Sequence, residues 1–497
     1  MKIHAPLFPL AVCLLTGIAT HGLLTDWTTG LAALVVCVIV TVLLYRWPRC
    51  QTAGIWLCFL VLGMTLGARK QQGMEVEWPE GPVDMEVVVT GEPVVKERQV
   101  VLDVLTAQGH QLLKLRLQRD EASERITIGQ GLVIHTIIKK VHAWDSGHFS
   151  YRRYMQCHGF TGEAFVNNRQ WHGQEVSLKG LSLAERTRLR FLCWRHQLLE
   201  RYRQWGISDD AYGVLAAMTL GEKSHINQQL RATYSQVGAS HVLALSGLHL
   251  MIIYGVITLL VSWRRIRLLS QVVIVLAIWA FALLTGLSPS IVRSASMITL
   301  YALLSVGYRQ RMSVNTLAFV AMVMVIANPL SLYDMGFQLS FMAVLAIVLV
   351  NPLLHELVPA HVRQQHRWLS SLWGLTTVSV SAQIGTAPLV AYYFGYFATW
   401  FLLTNYIVIP LATLVLYLTV ALIAVCWWPW AAGLLASGLS AVVVFMNRLL
   451  EWVATLPHCT IEGIRLSALQ TALLYVLLTC GWVLLRIALQ QRKVNYR

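Results

Sequence analysis

The sequence predicts a polytopic α-helical membrane protein of about 12 spans, with a small β-barrel inserted on the extracytoplasmic side. Three observations predict it. Hydrophobic residues make up 56% of the 497-residue chain and charged ones 13%, and the mean hydropathy is +0.58. From Trp368 to Asn447 there is no Asp, Glu, Lys or Arg; because a crossing takes about 20 apolar residues, this stretch reads as several spans joined by short turns. Between 80 and 178, by contrast, apolar and polar residues alternate as in strands with one buried face.

Residues 1–67 hold the first spans, at roughly 6–24, 29–45 and 53–67. The opening Met1-Lys2 and the apolar run after it have the character of a signal peptide, but two more apolar segments follow closely, so the first is read as a retained span. Residues 68–180 form the outer domain. Val83–Thr90, Gln99–Leu105, Leu112–Leu117 and Leu132–Lys139 alternate, and Gly81, Gly91, Gly109, Gly129, Gly131 and Gly147 punctuate them. Residues 181–240 begin with Leu183–Trp205, where six arginines alternate with Leu189, Leu192, Leu199, Tyr202 and Trp205. That is the pattern of an amphipathic helix in the membrane interface, with lipid head groups the favoured partners of its arginines over nucleic-acid phosphates. Residues 241–490 supply the remaining spans, at roughly 242–263, 270–287, 289–306, 314–330, 335–352, 370–395, 399–426, 430–450 and 466–487.

Charge orients this arrangement. The loops carrying Arg46/Arg49, Arg264/Arg265/Arg267, Arg309/Arg311 and Arg363/Arg367, and the tail Arg492/Lys493/Arg497, all fall on one side, which the positive-inside rule makes cytoplasmic. Residues 68–240 then lie outside and the C-terminus inside the cytoplasmic membrane. The net charge is +15, yet the outer domain is slightly acidic, so the surplus belongs to the membrane part. Orientation signals account for much of it, and a polyanionic cargo would add to it. Nine scattered cysteines suggest neither a disulfide framework nor a zinc site. Gly221-Glu-Lys-Ser224 lacks the spacing of a phosphate loop, and no metal or cofactor is expected.

Several segments together carry a family resemblance. They are Gly147-His-Phe-Ser-Tyr-Arg-Arg-Tyr154, Gly238-Ala-Ser-His-Val-Leu-Ala-Leu-Ser-Gly-Leu-His249, Leu284-Thr-Gly-Leu-Ser-Pro-Ser-Ile-Val-Arg293, Asn328-Pro-Leu330 and Asp334-Met-Gly-Phe-Gln-Leu-Ser-Phe341. Ala382-Gln-Ile-Gly-Thr-Ala-Pro388, Tyr393-Phe-Gly395 and Leu403-Thr-Asn-Tyr-Ile-Val-Ile-Pro410 follow in order. The chain resembles the ComEC family of competence proteins, inner-membrane channels through which one strand of transforming DNA enters bacteria. The resemblance implies an OB-like outer domain followed by a helical channel domain. It also implies single-stranded DNA as cargo, an outer DNA-receptor protein and a cytosolic ATPase. Two departures stand out. Ser150 replaces an acid the family often has between the two aromatics, and no His-x-His-x-Asp-His of a metallo-β-lactamase-like domain is found, so a separate polypeptide is expected to supply any nuclease.

Moving a polyanion through a hydrocarbon slab of about 30 Å requires a hydrated path, because lipid cannot solvate each phosphate charge. Polar residues within spans are therefore the candidates for its lining. His241, Ser246 and His249 would lie near one another on a continuous helix, and Gly238 and Gly247 permit a bend or close approach. These groups either line the path or bond neighbouring helices. Arg293 follows Pro289 in mid-span, with two readings, a phosphate contact or an ion pair with Asp334 or Glu451. Gln338, Gln383 and Asn405 also sit in apolar settings, where interhelical hydrogen bonds are the default. Tyr392, Tyr393, Phe394 and Phe397 either stack passing bases or form an interfacial belt.

No catalytic residue is expected. Ser246 and His249 on one turn rarely make a nucleophile–base bond, and no third, orienting acid is apparent. The alternative function is a secondary transporter of a small anionic solute, with Arg293 and Asp334 as substrate and proton pair.

Overall fold

A computed structural model describes residues 5–24, 26–107, 110–142, 145–146, 149–174, 181–261, 267–304 and 313–495. Gly109, Gly147, His148, Arg264, Arg265, Arg309, Arg311 and Arg497 lie outside the described residues.

The chain opens with α1 (Leu7–Ala19), α2 (Trp27–Leu43) and α3 (Pro48–Met74). Gly17 faces the backbone of Leu60 and Gly63 that of Leu14, with no room for a Cβ at either. Small residues on both helices thus let α1 and α3 pack at close range, the usual device where lipid offers no hydrophobic drive for association.

Next come β1 (Val83–Val89), β2 (Val94–Val95), β3 (Gln99–Thr106), β4 (Leu112–Gln118), α4 (Glu121–Glu124), β5 (Gly131–Thr136), β6 (Asp145–Ser146), β7 (Phe149–Ser150), α5 (Tyr151–Cys157), β8 (Phe160–Val166) and β9 (Trp171–Gly173). The four alternating segments supply β1, β3, β4 and β5, and their inward residues form one core of Val87, Val100, Leu102, Leu113, Leu115, Leu132 and Ile134. Seven strands make a mixed sheet in the order β8-β4-β3-β1-β5-β9, with β2 on β3. Only the β4–β8 pair among them is parallel. The domain is seated on the membrane part through Asn328, whose Nδ2 donates to Cys157 O at 3.1 Å, and through a cluster of Met74, Cys157 and Leu330.

Helix α6 (Leu183–Gln204) begins with a reciprocal cap between Ser182 and Glu185. Its buried face is shared by the two halves of the molecule. Leu189 packs with Val88 and Leu105 of the sheet, whereas Leu199 and Tyr202 join the core of the bundle. Protein therefore covers much of the apolar stripe that the sequence assigned to lipid. Helix α7 (Asp209–Leu220) follows and is buried from Ala211 to Leu220, packed against the helices Phe401–Ala424 and Pro429–Ala454. Its small residues, Ala211, Gly213, Ala216 and Ala217, admit neighbours close to its backbone.

The remainder comprises α8 (Gln228–Gln236), α9 (Ser240–Leu243), α10 (Gly247–Val261), α11 (Arg267–Leu284), α12 (Pro289–Leu304), α13 (Val314–Ala327), α14 (Met335–His355), α15 (Ala360–Gln365), α16 (Arg367–Phe394), β10 (Tyr396–Ala398), α17 (Phe401–Ala424), α18 (Pro429–Ala454), β11 (Thr460–Glu462) and α19 (Ala468–Asn495). Among the described residues, six helices are long and apolar enough to cross a membrane: Trp27–Arg46, Pro48–Met74, Met335–His355, Phe401–Ala424, Pro429–Ala454 and Ala468–Leu489. Leu7–Ala19, His249–Leu259, Leu269–Leu284 and Val314–Ala327 are shorter apolar helices. The protein is accordingly a multi-pass membrane protein. Helix α16 has the length to cross, at 28 residues, but Thr376, Thr377, Ser379, Ser381, Gln383 and Thr386 make it more polar than its neighbours.

Candidate functional site

The sequence places His241, Ser246 and His249 on one helix, and the structure breaks that helix. α9 is a single turn; Ala244 is extended at ψ 128°, and α10 starts afresh at Gly247. The break is made by its own side chains. Ser246 donates its backbone N–H to His249 Nδ1 at 3.2 Å, and the Ser246 hydroxyl lies 2.8 Å from the same nitrogen. A nitrogen that accepts a backbone N–H carries no proton, so a neutral His249 holds its proton on Nε2. That Nε2 is buried and has no hydrogen-bond partner among the described residues. The serine and histidine do bond, then, but as a clasp at a helix start, with no acceptor orienting the far ring nitrogen.

His241 bonds through Nδ1 to Gly238 O at 3.1 Å. Its side chain is exposed. Gly238 has φ +79°, and a Cβ there would lie 2.9 Å from that of Ala398, so glycine is required on both counts.

Gly247 brings the start of α10 against α12, where a Cβ would stand 3.0 Å from Ser294 Oγ. One helical step away, Arg293 is 3% exposed. Its Nη2 donates to Ser290 Oγ at 3.1 Å and its guanidinium lies 5.6 Å from the centre of the Phe341 ring. Nε and Nη1 have no partner among the described residues. Neither carboxylate proposed to pair with it does so. Asp334 instead caps α14, accepting the Phe337 N–H at 2.8 Å, and its other oxygen is 3.9 Å from His158; Glu451 is exposed on α18. The pairing fails because Asp334 is engaged as the cap of its own helix and Glu451 lies on an exposed face.

Gln338 has a structural engagement: Nε2 donates to Leu332 O and Oε1 accepts from Tyr393 O–H, both at 2.8 Å. This ties α14 to α16. Gln383 is half-buried on α16, and Asn405 on α17 has a buried Oδ1 without a partner. Ser379 Oγ on α16 and Thr404 Oγ1 on α17 are buried and unpartnered as well.

Sequence reasoning missed the order in which these helices meet. α10 touches both α12 and α17, α12 touches α14, α14 runs along α16, and α16 meets α17. These five helices close a ring. Each bears at least one of the polar residues singled out: His249 on α10, Arg293 on α12, Gln338 on α14, Gln383 on α16 and Asn405 on α17. Buried polar atoms without partners are few in folded proteins, because each costs about 1–3 kcal/mol. Here they recur on all five ring helices, Asn351 Oδ1 supplying the one on α14. Also unforeseen is the buried pair Arg195–Glu222 at 3.1 Å, which pins α6 beside Gly286 and the bend between α11 and α12.

A family model described as "Competence protein" matches residues 218–487, which include every helix of the ring. "ComE operon protein 3" of Bacillus subtilis (strain 168) is 25% identical over 374 residues, covering 72% of this chain and 44% of that protein. An "Uncharacterized protein" of Aquifex aeolicus (strain VF5) is 28% identical over 204 residues, 40% of this chain and 44% of its own length. The chain thus matches less than half the length of either relative. No solved structure matches.

Proposed function

The chain belongs to the competence protein family, and on that premise we propose that it is the inner-membrane channel that passes single-stranded DNA into the cytoplasm during natural transformation. One observation carries the reading: a closed ring of five helices with uncompensated polar atoms on its members. In hydrocarbon such atoms are costly, and they become affordable where they meet water or a polar cargo. His249, through Nε2–H, and Arg293, through Nε and Nη1, then offer donors to phosphate oxygens. Ser246 and Gly247 position His249, His241 lines the approach, and Gln383 and Asn405 contribute neutral hydrogen-bonding groups. Asp334 and Gln338 hold the start of α14 in place.

The finer architecture belongs to the same proposal. About 12 spans cross the membrane, residues 68–240 face outward and the C-terminus is cytoplasmic. The outer sheet is read as an OB-like barrel, supported by the parallel β4–β8 pair and by the bridge from Lys139, just past β5, to Glu163 on β8. Single-stranded DNA and the bilayer are the direct partners. An outer receptor delivers the DNA, and a cytosolic ATPase completes the pathway. A small-solute carrier with Arg293 as substrate group and Asp334 as proton group is disfavoured, because Asp334 is engaged as the cap of α14.

Deleting the gene should abolish passage of labelled DNA into the cytoplasm while leaving DNA bound at the cell surface. Undiminished transformation in the deletion strain would refute the proposal.

A further inference from the structure

We propose that a cleft between the outer domain and the bundle is a stacking station that receives bases of the incoming single strand before it reaches the ring. The inference deepens the channel reading and rests on it. The cleft has a volume of about 110 Å³ and is lined by Phe149, Tyr154, Tyr333, Tyr392 and Tyr393, with Arg153, Ser150, Asp334 and Met335. Five of its nine lining residues are aromatic, which is the composition that accepts every base, since each has a π-face.

Three distant stretches of chain build it. Phe149 to Tyr154 comes from the outer domain, Tyr333 to Met335 from the connection into α14, and Tyr392 and Tyr393 from the end of α16. Of the four aromatics that the sequence left between base stacking and an interfacial belt, Tyr392 and Tyr393 line this cleft, whereas Phe394 and Phe397 do not. The fold adds Phe149, Tyr154 and Tyr333 to that pair in one concavity. Their hydroxyls and rings are partly fixed. Tyr393 O–H is held by Gln338 and Tyr333 O–H donates to Ile18 O at 3.1 Å, so both rings stand ready without a partner to order them. Tyr154 sits tilted beside Phe149 at 5.7 Å between centroids and keeps 40% of its surface exposed.

Charge completes the chemistry. The Arg153 guanidinium lies 4.6 Å from the Tyr333 ring centre, and among the described residues no carboxylate pairs with it. Arg153 and Ser150 are shared with an adjoining hollow of about 340 Å³ that also presents Lys140 and Arg152. Bases against the tyrosines and phosphates along Arg153, Arg152 and Lys140 is the division of labour expected of a sequence-tolerant single-strand groove. Asp334, facing the same cleft, offers an acceptor to a base amino group. The site leads, through the Tyr393–Gln338 contact, onto α14 and α16 of the ring.

The test uses the full-length protein in lipid nanodiscs and a fluorescent oligo-dT, read by anisotropy. Tyr154→Ala should weaken binding by about ten-fold, the loss of one base stack, and Tyr154→Phe should retain it. Arg153→Gln, at an exposed position, should lower the dependence of affinity on salt by about 0.7 in log–log slope, one phosphate contact. An abasic strand should bind the wild type weakly and lose little more on Tyr154→Ala. Wild-type affinity in both Tyr154→Ala and Arg153→Gln would overturn the stacking station while leaving the channel intact, provided the deletion strain still fails to import DNA. No oligonucleotide binding by the folded wild type would overturn the station as well, and undiminished uptake on deletion would remove the channel itself.

Discussion

Arg293 has one serine hydroxyl and one aromatic face for company, and two of its nitrogens have no partner among the described residues. A cation in that setting is kept for what it meets in use, because burial without compensation costs several kcal/mol. Arg293→Ala should therefore lower transformation by at least about ten-fold at unchanged protein level, the size of one lost charge-assisted hydrogen bond. Colony counts normalised to immunoblots check it, and an unchanged frequency would assign the residue to packing. Cys157 lies at the other extreme of reactivity. Its thiol donates to Leu330 O at 3.1 Å, and burial, with the Asp334 carboxylate adding, pushes its pKa up to about 12. The thiolate is the reactive form, so maleimide should leave Cys157 unmodified at pH 8 in the folded protein and label it once denatured. Arg293 announced itself in the sequence as a mid-span cation, but the partners of neither residue were legible there.

At the scale of elements, α6 is the link between the outer sheet and the bundle. Its arginines and leucines gave the pattern of a helix on a lipid surface, since a periodic apolar stripe says only that something apolar covers it. The tertiary fold supplies protein on that face. Arg195 and Glu222 make the joint, with side chains 8% and 11% exposed. Glu222→Gln leaves the guanidinium buried and unpaired and should cost about 3–5 kcal/mol, whereas replacing both by apolar residues of similar volume should recover most of the loss. Thermal unfolding in nanodiscs distinguishes the two. The cap of α6 adds a pH dependence. Partial burial works to raise the Glu185 carboxyl, but hydrogen bonds from Ser182, with His110 nearby, outweigh it and hold the pKa below the usual range. A depressed pKa stabilises the fold above the unfolded value, near pH 4.5, and that contribution fades as pH falls through the folded value. Ser182→Ala should cost about 1 kcal/mol at neutral pH, and the difference from wild type should shrink on acidification below about pH 4.5.

For the whole molecule, the ring of α10, α12, α14, α16 and α17 makes a prediction about water. Asn405→Cys should react with a small membrane-impermeant thiol reagent, while Val476→Cys, exposed on the outer face of α19, should be shielded by lipid. Equal protection at both positions would mean that the ring is sealed.

The apolar runs and the alternating strands were legible in the sequence because hydropathy period and length are local properties that the bilayer and the sheet core impose directly. The kink at 244–246 was not legible, because His249 reaching back to Ser246 competes with helix propagation through a side-chain bond that no periodicity records. Nor could the sequence place α7 in the interior: its small residues fit equally well beside lipid or another helix. The closure of five helices into a ring, the convergence of three remote segments on one aromatic cleft and the lack, among the described residues, of a carboxylate beside Arg293 were decided by tertiary structure alone. Each depends on which helix faces which, and in hydrocarbon, where lipid and leucine are equally apolar, that choice is made by close packing and hydrogen bonds between residues far apart in the chain.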